Sequence, residues 1–156
     1  LLSNNRPTSE LDLTAWKNAV RLLMRDNEKS YGSNSYDISG QLKETSSVLG
    51  IKINVEGDIP DPFYYKIFVT AVRECATNAV RHAGATKLNV KCSKSGGRQW
   101  IALSNDGKAP VSAVTEGGGL SSLHDRVEKS GGTMIINSYP YFELVISFPL
   151  NKEVTL

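Results

Sequence analysis

Glu74-Cys75-Ala76-Thr77-Asn78-Ala79-Val80-Arg81-His82-Ala83 is the stretch that decides how this chain is read. It ends a run from Phe63 in which Ile67, Phe68, Val72, Cys75, Ala76, Ala79 and Val80 cover much of a helix circumference. The spacing predicts a largely buried helix that starts near Pro62, after the prolines of the Gly57 to Pro62 turn, and stops at Gly84. Against that apolar background Glu74, Asn78, Arg81 and His82 form a polar stripe. At about 100° per residue, Asn78 lies about 40° from Glu74, Arg81 about 20° to the other side and His82 about 80° away, so one ligand can meet all four. Buried polar groups without partners cost roughly 1–3 kcal/mol each, so the stripe needs water or a ligand. A plain solvated helix face explains it equally well at this point.

Working outward, Ile38, Leu42, Thr45 and Leu49 recur at helical steps and are closed by Gly50, after which Ile51, Ile53 and Val55 alternate as a strand. Beyond Gly84, Leu88-Val90-Cys92 and the stretch from Trp100 to Leu103 read as two strands of a hairpin turning at Ser95-Gly96-Gly97. A short helix is expected over Leu120 to Lys129, ended by Gly131-Gly132, followed by a strand pair, Met134 to Ile136 and Phe142 to Phe148, around Tyr139-Pro140. At the other end, Ser9 to Asp12 has the form of a capping box, and Leu13, Trp16, Val20, Leu23 and Met24 make an apolar stripe, so a further amphipathic helix is expected there.

Two loops add to the polar stripe. Ser104-Asn105-Asp106-Gly107 follows a strand directly and puts small polar groups where ligand loops often sit, although it is also good turn material. Gly117-Gly118-Gly119-Leu120 precedes a helix, so unobstructed backbone amides can converge on phosphate oxygens beside the helix's positive end, although many such runs are simple connections.

Composition bounds the partners. At 156 residues the chain fits one domain able to bury a core, and a net charge of +2 is too small for a dedicated nucleic-acid binder or a polybasic membrane anchor. The two cysteines, Cys75 and Cys92, have no CxxC spacing, which disfavours a metal cluster or disulfide framework and suits a reducing, cytoplasmic setting. No window approaches the roughly 20 apolar residues that span a bilayer, and the N-terminus lacks the form of a signal peptide, so no direct membrane contact is expected of this stretch. The chain begins at Leu1, which suggests a piece of a longer protein and leaves membrane anchoring of a parent open.

In this order and at this spacing the three features resemble the GHKL ATPase superfamily, and within it the catalytic ATP-binding domain of bacterial sensor histidine kinases. Residues 74–83 fit an asparagine box of the pattern E-x-x-x-N-x-x-[KR]-H-A, Ser104 to Gly107 resembles the first glycine box, and Gly117 to Leu120 with Leu123, Arg126, Val127 and Gly131-Gly132 resembles the second. The resemblance implies an α/β two-layer sandwich of the Bergerat type, a mixed β-sheet with helices on one face, over residues 35–156. Residues 1–34 would be an N-terminal helix and connection, read either as a linker from an upstream dimerisation domain or as a helix packed on the sheet. It further implies Mg2+ and ATP as cofactors, with Asn78 ligating the metal, Glu74 beside it, Arg81 and His82 near the phosphates, and Gly117, Gly118, Gly119 and Leu120 holding the triphosphate. Asn105, Asp106 and Gly107 would form the adenine end. The implied reaction moves the γ-phosphate to a histidine on a dimerisation domain for relay to a response regulator, in a parent protein that is a homodimer.

Departures from the pattern shape three alternatives. The first glycine box usually reads D-x-G-x-G with its aspartate accepting from the adenine amino group, whereas here Asn105 holds that place and Ala109 replaces the second glycine. Adenine binding should be weakened, unless Asp106 takes over the contact. Nine residues, Lys108 to Glu116, separate the two glycine boxes, which implies a short lid and fast nucleotide exchange, and the late G-x-G-T element is replaced by Tyr139-Pro140-Tyr141-Phe142. The histidines are His82 and His124, neither on an evident phosphoacceptor helix. A regulatory nucleotide-binding module with little chemistry, a serine kinase of the anti-sigma-factor type, and a nucleotide-free interaction domain are the competing readings.

Overall fold

A computed structural model describes residues 37–112, 114 and 117–150; the amphipathic helix expected over Leu13 to Met24 lies outside them. Helix α1, Ile38–Leu49, starts where the Asp37 carboxylate accepts from the Gly40 amide at 3.0 Å, and ends at Gly50 in the left-handed conformation. Strand β1, Lys52–Gly57, follows at once. The long helix does not begin at Pro62 in α form. Pro62–Tyr64 make a 3-10 turn, and helix α2 runs from Tyr65 to Ala83 with Gly84 as its left-handed cap. Tyr64, at the end of this turn, stacks its ring on Phe148 at 4.1 Å and donates its hydroxyl to the Pro149 carbonyl at 2.8 Å, fastening the helix start to the end of the last strand of the sheet.

Strands β2, Lys87–Ser95, and β3, Arg98–Asn105, form the expected hairpin. Its loop is Gly96-Gly97, both at positive φ, the geometry a two-residue hairpin turn needs and glycine adopts without strain. Helix α3, Gly119–Lys129, is followed by β4, Thr133–Asn137, and β5, Glu143–Pro149. The sheet is five-stranded in the order β1-β2-β3-β5-β4, with β1 and β2 parallel and the other neighbours antiparallel. This is the mixed sheet with helices that the sequence implied, an α/β fold.

Register puts the core on one face. Val55, Val90, Leu103, Leu144 and Ile136 form one cross-strand row, and Cys92, Ile101, Ile146 and Met134 the next. Phe68, Val69, Val72, Cys75, Ala76 and Ala79 of α2 and Leu120, Leu123 and Val127 of α3 are buried with them in one cluster. Each fully buried large aliphatic or aromatic side chain contributes about 1.5–3 kcal/mol. The opposite face carries Lys91, Trp100, Ser104 and Ile135, of which Lys91, Trp100 and Ile135 are exposed. One member of the α2 core face is a cation: Arg73 is 1 % exposed and donates to Thr45 Oγ1 at 3.1 Å and to Gln41 Oε1, fastening α2 to α1.

Candidate functional site

One cavity of about 480 Å³ opens between α2, the end of β3 and the start of α3. Glu74, Asn78, Arg81 and His82 line it from the helix, Asn105 from β3, and Gly117, Gly118, Gly119 and Leu120 from the glycine turn. The helical stripe and the glycine turn therefore face each other across a shared space. Their contact is close at one point: a Cβ on Gly119 would stand 1.9 Å from Glu74 Oε1, so only glycine lets the turn approach this carboxylate. Gly118, the residue before α3, sits at φ +50° and has no side chain to cap it, so among the described residues no side-chain cap takes the amides at the start of α3.

The charges in the cavity are unbalanced in an informative way. Burial lifts the Glu74 carboxyl above its ordinary range, while the positive charge of Arg81 pulls it back. Arg81 Nε is buried with no hydrogen-bond partner among the described residues, an N–H that fits an incoming anion. Thr77 also lines the cavity, but its hydroxyl donates to the Arg73 carbonyl one turn back at 2.7 Å. His124 lies on α3, where Nε2 is 3.1 Å from Glu128 Oε2.

The first glycine box divides. Asn105 is the last residue of β3, paired with Leu88, so alternation along the strand sends it to the same face as Leu103 and into the cavity. Asp106, one residue on, has the opposite parity and does not line the cavity. Its carboxylate accepts from the Thr86 amide at 2.8 Å, the Thr86 hydroxyl at 2.5 Å and the Lys87 amide at 2.9 Å. Burial acts to raise its pKa, yet these hydrogen bonds outweigh that and hold it below the ordinary aspartate value. The alternative in which Asp106 replaces Asn105 as the base contact thus has no geometric support. Gly107 also stands outside the lining. Its role is a close approach to the end of α2, where a Cβ would lie 2.4 Å from the Ala83 carbonyl oxygen.

Beyond the α2 stripe, Asn105 and the glycine turn, the cavity is also lined by Lys108, Pro110, Val114 and Phe142, which no sequence motif singled out. Lys108 is placed by its amide donating to the same Ala83 carbonyl at 2.9 Å. Val114 is placed by its amide donating to Ser138 Oγ at 2.8 Å. Phe142 precedes β5 beside Asn105, because Ser104 pairs with Glu143. Phe142 had a readable signal in the strand alternation; Val114 had none.

The donor set suits magnesium. Among the described residues no group of three or more His, Cys, Asp or Glu side chains stands ready to hold a metal by itself. Magnesium takes one or two protein oxygens and fills its octahedron with water and phosphate, and Asn78 with Glu74 offers that number of hard oxygens beside an anion-ready turn.

No family model matches the chain. It is 29% identical over 87 residues to the sensor histidine kinase YxjM of Bacillus subtilis (strain 168), a match covering 53% of this chain and 21% of that protein. The chain thus spans about a fifth of this curated relative. Among solved structures, it superposes on the histidine kinase domain of the Erythrobacter litoralis EL346 blue-light activated histidine kinase with a TM-score of 0.59 at 19% identity, covering 90% of this chain and 76% of that one. The Acinetobacter baumannii histidine kinase AdeS gives 0.58 at 13% identity, covering 94% and 87%. The ATP binding domain of PrrB from Mycobacterium tuberculosis gives 0.55 at 18%, covering 70% and 88%. With α2 and the glycine turn bordering one cavity, these likenesses establish that the chain has the α/β fold of the histidine kinase ATP-binding domain.

Proposed function

We propose that this chain binds a magnesium nucleoside triphosphate and transfers its γ-phosphate to a histidine on a separate dimerisation domain, for relay to a response-regulator aspartate. The observation that carries the reading is the facing of Asn78 and the Gly117–Gly119 turn across one cavity, with Glu74 against Gly119. Asn78 supplies an amide oxygen to the metal, and Glu74 stands beside it. Bound there, magnesium would neutralise charge on the phosphate oxygens. Arg81, with its unsatisfied Nε, and Lys108 bring positive charge to the triphosphate, while the glycine turn offers amides that no Cβ shields.

In the transfer, the bond from the γ-phosphorus to its bridging oxygen breaks and a bond to an imidazole nitrogen forms, and the imidazole releases a proton. Phosphoryl transfer asks mainly for positioning and charge stabilisation, which is what these side chains provide. Glu74 has two roles open to it: accepting that proton, and supporting the metal's outer shell. Its upward-shifted carboxyl suits proton exchange nearer neutral pH than an ordinary glutamate. The pH–rate profile of Glu74→Gln separates the two. Acid lability of the transferred phosphate distinguishes a histidine acceptor from a serine acceptor.

Calorimetry of the chain with a non-hydrolysable ATP analogue, with and without magnesium, tests the reading. Magnesium-dependent binding that is lost in Asn78→Ala is expected. Absence of any binding at millimolar nucleotide removes the proposal.

A further inference from the structure

The cavity has two ends that α2 keeps apart. Glu74 meets Gly119, and Ala83 meets Gly107, nine residues further along the helix or about 13 Å at 1.5 Å per residue. The first end, with the glycine turn, suits phosphates. The second is where Asn105 enters, flanked by Ala83 and Phe142, and suits a flat, mostly apolar base with a polar edge. The 6-position of a purine lies across the ring system from the glycosidic nitrogen, so a nucleotide with its phosphates at the glycine turn sends that position toward Asn105.

What Asn105 can offer the base is set by its neighbour. The Gly107 amide donates to Asn105 Oδ1 at 2.8 Å. Only the oxygen of the carboxamide can accept, so this backbone donor fixes which end is which, and Nδ2 becomes the free end. Nδ2 donates to no group among the described residues and is not enclosed. It can only donate, whereas a carboxylate at this position can only accept. A donor matches the 6-oxo oxygen of guanine and hypoxanthine and opposes the 6-amino group of adenine. Adenine is left with the second lone pair of Oδ1.

We propose that the base subsite at Asn105 accepts 6-oxopurine nucleotides at least as well as adenine nucleotides, so that this domain does not select for adenine. The inference rests on the nucleotide reading above. Inosine and adenosine diphosphates are the discriminating probes, because inosine carries the 6-oxo group without guanine's 2-amino group. Calorimetry with magnesium on the 156-residue chain and on Asn105→Asp is the test. In the wild-type chain, IDP should bind as tightly as ADP or more tightly. In Asn105→Asp the IDP-to-ADP affinity ratio should shift about tenfold toward ADP, the worth of one hydrogen bond turned from matched to opposed. A wild-type chain that favours ADP by tenfold overturns the inference, as does a ratio that the substitution leaves in place. Where Asn105→Asp does not fold, the wild-type ratio decides alone. Failure of both diphosphates to bind is a separate result, which removes the nucleotide reading itself.

Discussion

Gly119→Ala separates what the glycine turn does for the site from what it does for the fold. Gly119 has no positive φ, so alanine suits its backbone, and at the start of α3 alanine is the better helix former by up to about 1 kcal/mol. The obstacle is Glu74, whose Oε1, Cδ and Oε2 would lie 1.9, 2.3 and 2.6 Å from the new methyl carbon. These atoms end a flexible side chain, so they retreat rather than force the helices apart. Restoring an ordinary separation of about 3.5 Å moves the carboxylate by roughly 1.5 Å. Stability should therefore change little, by about 1 kcal/mol or less. The carboxylate beside Asn78, by contrast, leaves its place, and misplacing a charged group by ~1 Å in such a site costs on the order of ten- to a hundredfold. Thermal denaturation followed by circular dichroism should give nearly coincident melts, while calorimetry with a magnesium nucleotide should show affinity reduced at least tenfold. Full affinity in a variant with an unchanged melt would refute the claim that the Glu74–Gly119 contact belongs to the binding site.

Other substitutions test the scaffold. Gly107→Ala drives a Cβ against the backbone of Ala83, at 2.4 Å from its oxygen and 2.9 Å from its carbonyl carbon, so denaturant titration should show a loss of about 1–3 kcal/mol. Asp106→Ala should lower stability by about 1 kcal/mol at neutral pH, a figure discounted for the exposure of the group. Because the folded-state pKa of Asp106 is depressed, its contribution is present above the unfolded value and is lost as pH falls through the folded one. Melting curves of wild type and variant should begin to converge as the pH falls below 3.8, the ordinary aspartate value, and a constant difference down to pH 2 would contradict this assignment.

Much of the architecture was legible because local chemistry dictates it. Gly50 and Gly84 mark helix ends where a left-handed residue is needed, and Gly96-Gly97 marks the hairpin. The α2 stripe was readable because helical periodicity alone brings Glu74, Asn78, Arg81 and His82 to one cavity. Residues 104–107 were harder. Read as a turn, Asn105, Asp106 and Gly107 look equivalent; read as the end of β3, the alternation of Ile101 and Leu103 already sends Asn105 inward and Asp106 away. The insertion of β5 between β3 and β4 rests on pairing between distant segments, which no local pattern encodes. The buried place of Arg73 has no local signal for a related reason, since its neutral partners Thr45 and Gln41 lie on another helix.

Amide NMR of the chain during titration with magnesium and a non-hydrolysable nucleoside triphosphate addresses the shared cavity most directly. The side-chain amide of Asn78 and the backbone amides of Gly118 and Gly119 should shift together, with one dissociation constant and only when magnesium is present. Movement of the glycine amides with the Asn78 signal unmoved, or no shift at either, would contradict the account.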